Sequence, residues 1–195
     1  MRIISGKYKG RHFDVPRNFK ARPTTDFAKE NLFNILMNSV DFEESAALDL
    51  FSGTGSISLE LLSRGCPAVT SVEMDPLHHS HLKKVSATLK DDAWRIVRDD
   101  AFRFIRRCTE SYDLIFADPP YALKGLPEIP ELIMSSNMLK KGGLLVFEHG
   151  KDNNFEQHPC FVRHIAYGSV NFTFFAHKED EGSVEKRCGK FTLND

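Results

Sequence analysis

The sequence predicts an α/β protein. Its core is a doubly wound, mostly parallel sheet of seven strands, finished by a C-terminal antiparallel hairpin and preceded by a small N-terminal β-hairpin. Three observations carry this reading. Five short, nearly continuous apolar runs between residues 47 and 147 alternate with segments of helical spacing, the mark of a parallel sheet covered on both faces. Two further apolar runs, Phe161–Tyr167 and Asn171–Ala176, are separated only by Gly168-Ser169-Val170. So short a link cannot make a crossover, so these two strands pair antiparallel. Near the start, Arg2-Ile3-Ile4-Ser5 and Arg11-His12-Phe13-Asp14-Val15 flank Gly6-Lys7-Tyr8-Lys9-Gly10, and Pro16 closes the second strand.

The elements follow in order. Thr24 or Thr25 can cap a first helix in which Asp26 suits the first turn and Ala28, Leu32, Ile35 and Leu36 recur on one face. Ala47–Phe51 is the first strand of the parallel set, and a helix over Ile57–Arg64 follows, stopped by Gly65. Val69–Val72 is the second strand, with a helix from Pro76 to about Leu89. Trp94–Val97 is the third, with a short helix over Phe102–Arg107. Tyr112–Ala117 is the fourth, a helix is expected near Ile129–Leu139, and Leu144–Phe147 is the fifth. Residues 1–22 read as a basic hairpin extension, 23–177 as the main domain, and 178–195 as a charged tail expected to be disordered.

A length of 195 residues with 41% apolar and 27% charged side chains suits one domain with a full core. No window holds 18 consecutive apolar residues, so no membrane span or membrane partner is expected. The start lacks the apolar region of a secretory signal. Cys66, Cys108, Cys160 and Cys188 lie far apart, which suggests neither a zinc site nor a disulfide framework and fits a reduced, cytoplasmic protein. His78, His79 and His81 crowd one helix, but beside Lys83 and Lys84 they read as a solvated face, and no metal is expected. The net charge of -1 hides an asymmetry. Residues 1–30 carry eight basic and three acidic side chains, a balance of +5 that leaves -6 for the remainder. With Tyr8 and Phe13 interleaved, Lys7, Lys9, Arg11 and Arg22 are candidates for contact with nucleic-acid phosphates.

A ligand turn follows the first strand of the parallel set, Asp49-Leu50-Phe51-Ser52-Gly53-Thr54-Gly55. Glycines there allow close backbone approach, and the next helix offers its amide groups. A nicotinamide fingerprint would want glycine where Ser58 stands, and no GxxxxGK[ST] phosphate loop is present. An acidic, glycine-rich turn that binds S-adenosyl-L-methionine remains. Asp49 would lie near the amino group of its methionine end, and the backbone of Phe51, Ser52, Gly53 and Gly55 would pass beside it. The second strand ends in Glu73-Met74, an acid for the ribose hydroxyls and a thioether for the adenine face. Asp100 and Ala101 end the third and could meet the adenine edge. Asp100 could equally be an ordinary helix cap.

The fourth strand ends in Asp118-Pro119-Pro120-Tyr121. Two prolines fix the backbone and leave carbonyls free to face a ligand. In a doubly wound sheet this strand neighbours the first, at the switch point where such folds bind. The exocyclic amine of a base is a poor nucleophile because its lone pair is delocalised into the ring. A carboxylate from Asp118 and the carbonyl of Pro119 can accept its two hydrogens and free that lone pair for a methyl group. Tyr121 can stack on a base turned out of its helix.

With these residues in place, the chain resembles the RsmD family of bacterial rRNA (guanine-N2)-methyltransferases. The matching segments are Arg2–Arg11, Arg22–Asp26, Leu48–Gly55, Val72–Asp75 and Asp118–Tyr121, in family order. The resemblance implies the Rossmann-like S-adenosylmethionine-dependent methyltransferase fold and a monomer that methylates N2 of a guanine in 16S rRNA within the small ribosomal subunit. It also implies that the hairpin grips RNA and that the stretch from Pro23 to Asp26, with Thr24, closes over the methionine end of the cofactor. Phe27 stands where the family commonly has a basic residue, and nothing after Ala176 matches.

Two rivals remain open on sequence. DNA-adenine and protein-glutamine methyltransferases use Asn-Pro-Pro-Tyr where this chain has Asp118, and 195 residues leave no room for a separate DNA-recognition domain. A non-catalytic module that binds RNA or the cofactor is opposed by the intact Asp118–Tyr121 motif.

Overall fold

The computed structural model describes residues 1–16, 19 and 26–178. A seven-stranded sheet runs through it, built from β1 (Ala46–Asp49), β2 (Ala68–Val72), β3 (Trp94–Val97), β4 (Tyr112–Ala117), β5 (Leu139–His149), β6 (Phe161–Tyr167) and β7 (Val170–Phe175). Its order is β3-β2-β1-β4-β5-β7-β6. The first five strands are parallel, while β7 lies antiparallel between β5 and β6. The chain winds outward from β1 to β3, then returns to start again at β4. The seam between β1 and β4 is therefore the switch point of the sheet.

The helices are α1 (Asp26–Leu36), α2 (Ser56–Ser63), α3 (Pro76–Leu89), α4 (Ala101–Arg107) and α5 (Ile129–Met134). Alternate strand residues point to opposite faces. Ala47, Leu114, Phe116 and Val146 face a cluster with Leu32 and Phe33 of α1, Leu59 and Leu62 of α2 and Leu82 of α3. Leu48, Ile115, Leu145 and Phe147 face Phe104 and Ile105 of α4 and Ile129 and Ile133 of α5. The acids that end the central strands inherit these directions, which decides where a site forms. No helix among the described residues is long and apolar enough to cross a membrane.

One expectation is corrected. The helix expected over 129–139 stops at Met134. Ser136 turns its hydroxyl back onto the Ile133 carbonyl at 2.7 Å and accepts from the Met138 amide at 3.1 Å. Serine competing with the backbone in this way ends the helix. The released chain joins the sheet early, so β5 begins at Leu139, opposite Tyr112, rather than at Leu144.

The N-terminal segment doubles back as expected, through the single bridge Arg2–His12 and backbone bonds such as Gly10 N–H to Ile3 carbonyl at 2.9 Å. It is fastened to the core more firmly than a basic appendage needs. Ile3 is buried in the cluster under α1 and α2. The Gly6 Cα lies so close to α2 that a Cβ there would sit 1.8 Å from the Ser63 carbonyl oxygen, and its φ is +81°. Only glycine fits. Glu60, fully buried on α2, accepts the amides of Ile4 at 2.9 Å and Ser5 at 3.0 Å. It also takes Arg64 at 3.1 Å and faces the buried Lys29 ammonium at 3.8 Å. Lys29 completes the network by donating to the Arg2 carbonyl at 2.6 Å and the Ser56 hydroxyl at 3.1 Å.

Candidate active site

Three carboxyls converge at the switch point. Asp49 pairs in register with Phe116, and Phe116 with Val146. Asp118 lies two residues beyond Phe116, and Glu148 two beyond Val146. By the period of two, Asp49, Asp118 and Glu148 all emerge on the α1–α3 face at the carboxyl ends of β1, β4 and β5. No basic side chain among the described residues pairs with any of them.

Their proton affinities follow from that crowding. Burial pushes Asp49 up to about 7, aided by Glu73 and opposed by hydrogen bonds from Ser58. Burial, then the charges of Glu148 and Asp49, hold Asp118 well above the usual carboxylate range. Burial lifts Glu148 to about 7 against a bond from Tyr121. Among the described residues Asp118 accepts no hydrogen bond, and the buried Glu148 Oε2 has no hydrogen-bond partner. A cluster of buried acids without a counter-cation is costly unless protonated or met by a positive ligand.

The sequence-predicted residues frame this cluster. Asp118 is partly exposed, Pro119 is buried, and Pro120 and Tyr121 face outward. The Tyr121 hydroxyl donates to Glu148 at 3.2 Å, and its ring lies against Gly150. Across the seam, Gly55 opens α2 with φ +81°, and a Cβ there would meet Leu82 at 2.6 Å. Phe51 is half-buried. Ser52 donates to the Asp49 carbonyl at 2.8 Å, which folds the turn. Glu73 accepts from the Gly53 amide at 2.8 Å and the Asp75 amide at 2.7 Å, one bond on each oxygen. A second lone pair on each oxygen stays available for a diol. Met74 is 64% exposed beside it. Phe19 stacks on His78 at 4.2 Å, just past Glu73.

Other positions are placed differently. Asp100 caps α4, accepting from the Arg103 amide at 3.0 Å, and Ala101 is buried. Lys7 is ion-paired with Asp91 at 3.0 Å, whereas Lys9 and Arg11 are exposed. Thr24, Arg22 and the tail from residue 179 onward lie outside the described residues. His78 stands 3.7 Å from Glu73, and among the described residues no group of three metal-binding side chains is assembled. Sequence reasoning missed Glu148. Its one signal was an acid ending the apolar run Leu144–Phe147, and only strand order puts it beside Asp118.

This sheet order, with an acidic turn after β1 and an Asp-Pro-Pro-Tyr motif after β4, defines the S-adenosylmethionine-dependent methyltransferase fold. SMU.776, a methyltransferase solved with S-adenosylhomocysteine, shares that fold at a TM-score of 0.60, 19% identical over 76% of this chain and 49% of its own. The structure of yhhF from Escherichia coli is far nearer, with a TM-score of 0.81 and 30% identity over 92% of this chain and 99% of that one. The family model described as "Conserved hypothetical protein 95" matches residues 1–176. Ribosomal RNA small subunit methyltransferase D of E. coli K12 is 34% identical over 160 residues, 82% of this chain and 80% of the relative. The chain belongs to the ribosomal RNA small subunit methyltransferase D family.

Proposed function

We propose that this protein transfers a methyl group from S-adenosylmethionine to the exocyclic N2 of a guanine in small-subunit ribosomal RNA. The carrying observation is the carboxyl cluster at the β1–β4 seam, which pairs with no basic side chain among the described residues and lies beside an outward-facing tyrosine. The names of the relatives supply the RNA.

The residues present fit the cofactor. When bound, it supplies an electrophilic methyl group on a positively charged sulfur. Asp49 would receive its ammonium, the Ser52–Gly55 backbone would line its length, and Glu73 and Met74 would hold ribose and adenine. Asp100, with one oxygen free of its capping bond, and Ala101 would border the adenine edge. On the acceptor side, the Asp118 carboxylate and the Pro119 carbonyl would accept hydrogen bonds from the two hydrogens of the amine, drawing its nitrogen toward tetrahedral geometry, and the proton that the methylated nitrogen sheds would pass to the Asp118 carboxylate as the neutral sulfide leaves. Tyr121, anchored by Glu148, stacks on the displaced base. Positioning and electrostatics do the work, with no covalent intermediate on the protein.

A pH dependence follows with a definite sign. Asp49 and Glu148 bind protons more tightly folded than unfolded, so they reduce the stability of the free chain as pH rises from about 4 through about 7. A cation relieves that cost. The affinity for S-adenosylhomocysteine, which carries the ammonium, relative to 5′-deoxy-5′-methylthioadenosine, which lacks it, therefore rises between pH 6 and pH 8. Isothermal calorimetry with both ligands checks this, and a pH-independent ratio contradicts it.

The RNA surface has a test of its own. Lys9 and Arg11 are exposed without an ion pair among the described residues, while Lys7 is held by Asp91. Replacing both Lys9 and Arg11 by glutamate lowers the salt slope of RNA binding by about 1.5–2, one phosphate contact each. An unchanged slope moves the RNA elsewhere. Removing the Asp118 carboxyl tests the chemistry itself.

A further inference from the structure

Behind Asp49 lies a buried line of hydroxyls that the chemistry above does not use. The Trp94 indole Nε1 lies 2.7 Å from Ser71 Oγ. Ser71 Oγ lies 2.6 Å from Ser58 Oγ, and Ser58 Oγ lies 2.5 Å from Asp49 Oδ2. The Ser58 amide donates to the same carboxyl oxygen at 3.1 Å. Asp49, Ser58, Ser71 and Trp94 are all buried, the two serines without measurable exposure.

The direction of this chain is set by chemistry. An indole N–H only donates, so Ser71 must accept from Trp94. The Ser71 proton is then free for Ser58. An ionised carboxyl only accepts, so the Ser58 proton goes to Asp49. Every bond runs one way, from Trp94 on β3 through β2 and α2 to Asp49 on β1. Were Ser58 to donate to Ser71 instead, the ionised Asp49 carboxyl would lose the Ser58 hydroxyl and with it a hydrogen bond.

We propose that Trp94, Ser71 and Ser58 are positioning residues for the cofactor, a one-way relay of donors that orients the Asp49 carboxylate toward the ammonium of the ligand's amino-acid end. This rests on the assignment of Asp49 to that end of S-adenosylmethionine. The relay also accounts for two hydroxyls buried on this face of the sheet, since buried polar groups are costly unless satisfied. Apart from the relay, the ionisable groups among the described residues whose charge acts on Asp49 are Glu73 from the end of β2 and Asp118 from the end of β4, both acids that oppose its charge. The donors of the relay oppose them.

Trp94 is the only tryptophan in the chain, so its emission reports on the relay directly. In the ligand-free wild type, that emission titrates around neutral pH as Asp49 ionises, and Ser58→Ala abolishes or displaces the titration. Binding supplies the second readout. Calorimetry compares S-adenosylhomocysteine, which carries the amino-acid end, with 5′-deoxy-5′-methylthioadenosine, which lacks it. Ser58→Ala should weaken the first about tenfold, the worth of a hydrogen bond to a charged group, Trp94→Phe, which removes a bond to a neutral hydroxyl, about fivefold, and both should leave the second within about twofold. Equal weakening of both ligands means the residues only pack the core, and overturns the relay. So does a wild-type emission that is flat with pH, or one that titrates identically in Ser58→Ala. A wild type that binds neither ligand overturns the cofactor assignment, while its emission titration still judges the relay.

Discussion

Asp118→Ala lowers the turnover number for methyl transfer by about 10²–10³-fold, the scale of a lost transition-state hydrogen-bonding group. Affinity for S-adenosylhomocysteine stays within about threefold, because the residues proposed to hold the ligand, Asp49 and Glu73, lie on other strands. The fold tolerates the change. Asp118 makes no hydrogen bond to the described residues, and its proton affinity is raised by burial and by Glu148 and Asp49. Removing a desolvated acid that supports no neighbour leaves stability unchanged or slightly higher. A stability curve, a binding isotherm and a turnover measurement on one preparation separate these effects. Wild-type turnover in the variant would remove Asp118 from the chemistry, and a collapse of binding would make it a cofactor residue.

The largest expected effect on stability lies far from the chemistry. Glu60→Ala removes the acceptor of the Ile4 and Ser5 amides and the partner of Arg64, and leaves the Lys29 ammonium buried without its counter-charge. Breaking a buried ion pair from one side costs about 3–5 kcal/mol. That is a large part of the total stability of an ordinary domain. Chemical denaturation measures it. The double replacement Lys29→Met with Glu60→Leu leaves no buried ammonium and should cost less than Glu60→Ala alone, although the two amides still lose their acceptor and Arg64 its partner. If Glu60→Ala costs under about 1 kcal/mol, the network contributes no more than a surface pair would. The network also has a functional side. It fixes the segment that carries Lys9 and Arg11, so its loss should weaken RNA binding before it affects the cofactor turn.

What the sequence made legible was local. The Gly53–Gly55 turn, Glu73 and Asp118–Tyr121 each announce themselves within a few residues, and strand–helix alternation puts them at one edge of the sheet. The hairpin of β6 and β7 was legible because three residues cannot span a crossover. What depended on register stayed hidden. Glu148 belongs to the site only because β5 lies beside β4, and Ser71 reaches Ser58 only because β2 lies beside β1. Ser58 entered the sequence reading merely as a residue that was not glycine, yet it is the donor to Asp49. Charge counting could not show the partner of Lys7 for the same reason, since Asp91 lies 84 residues away along the chain and meets it only in three dimensions. The early end of α5 turned on serine hydroxyls bonding back to the backbone, which apolar periodicity does not register.

The most direct test of the account is transfer of label from S-adenosylmethionine to small ribosomal subunits lacking their methylations, with naked rRNA, DNA and protein alongside, followed by nucleoside analysis. The account predicts label in RNA, recovered as N2-methylguanosine and lost in Asp118→Ala. Label on DNA or protein but not RNA would keep the fold and the cofactor and contradict the substrate. Transfer to none of them would leave a binding module in place of an enzyme.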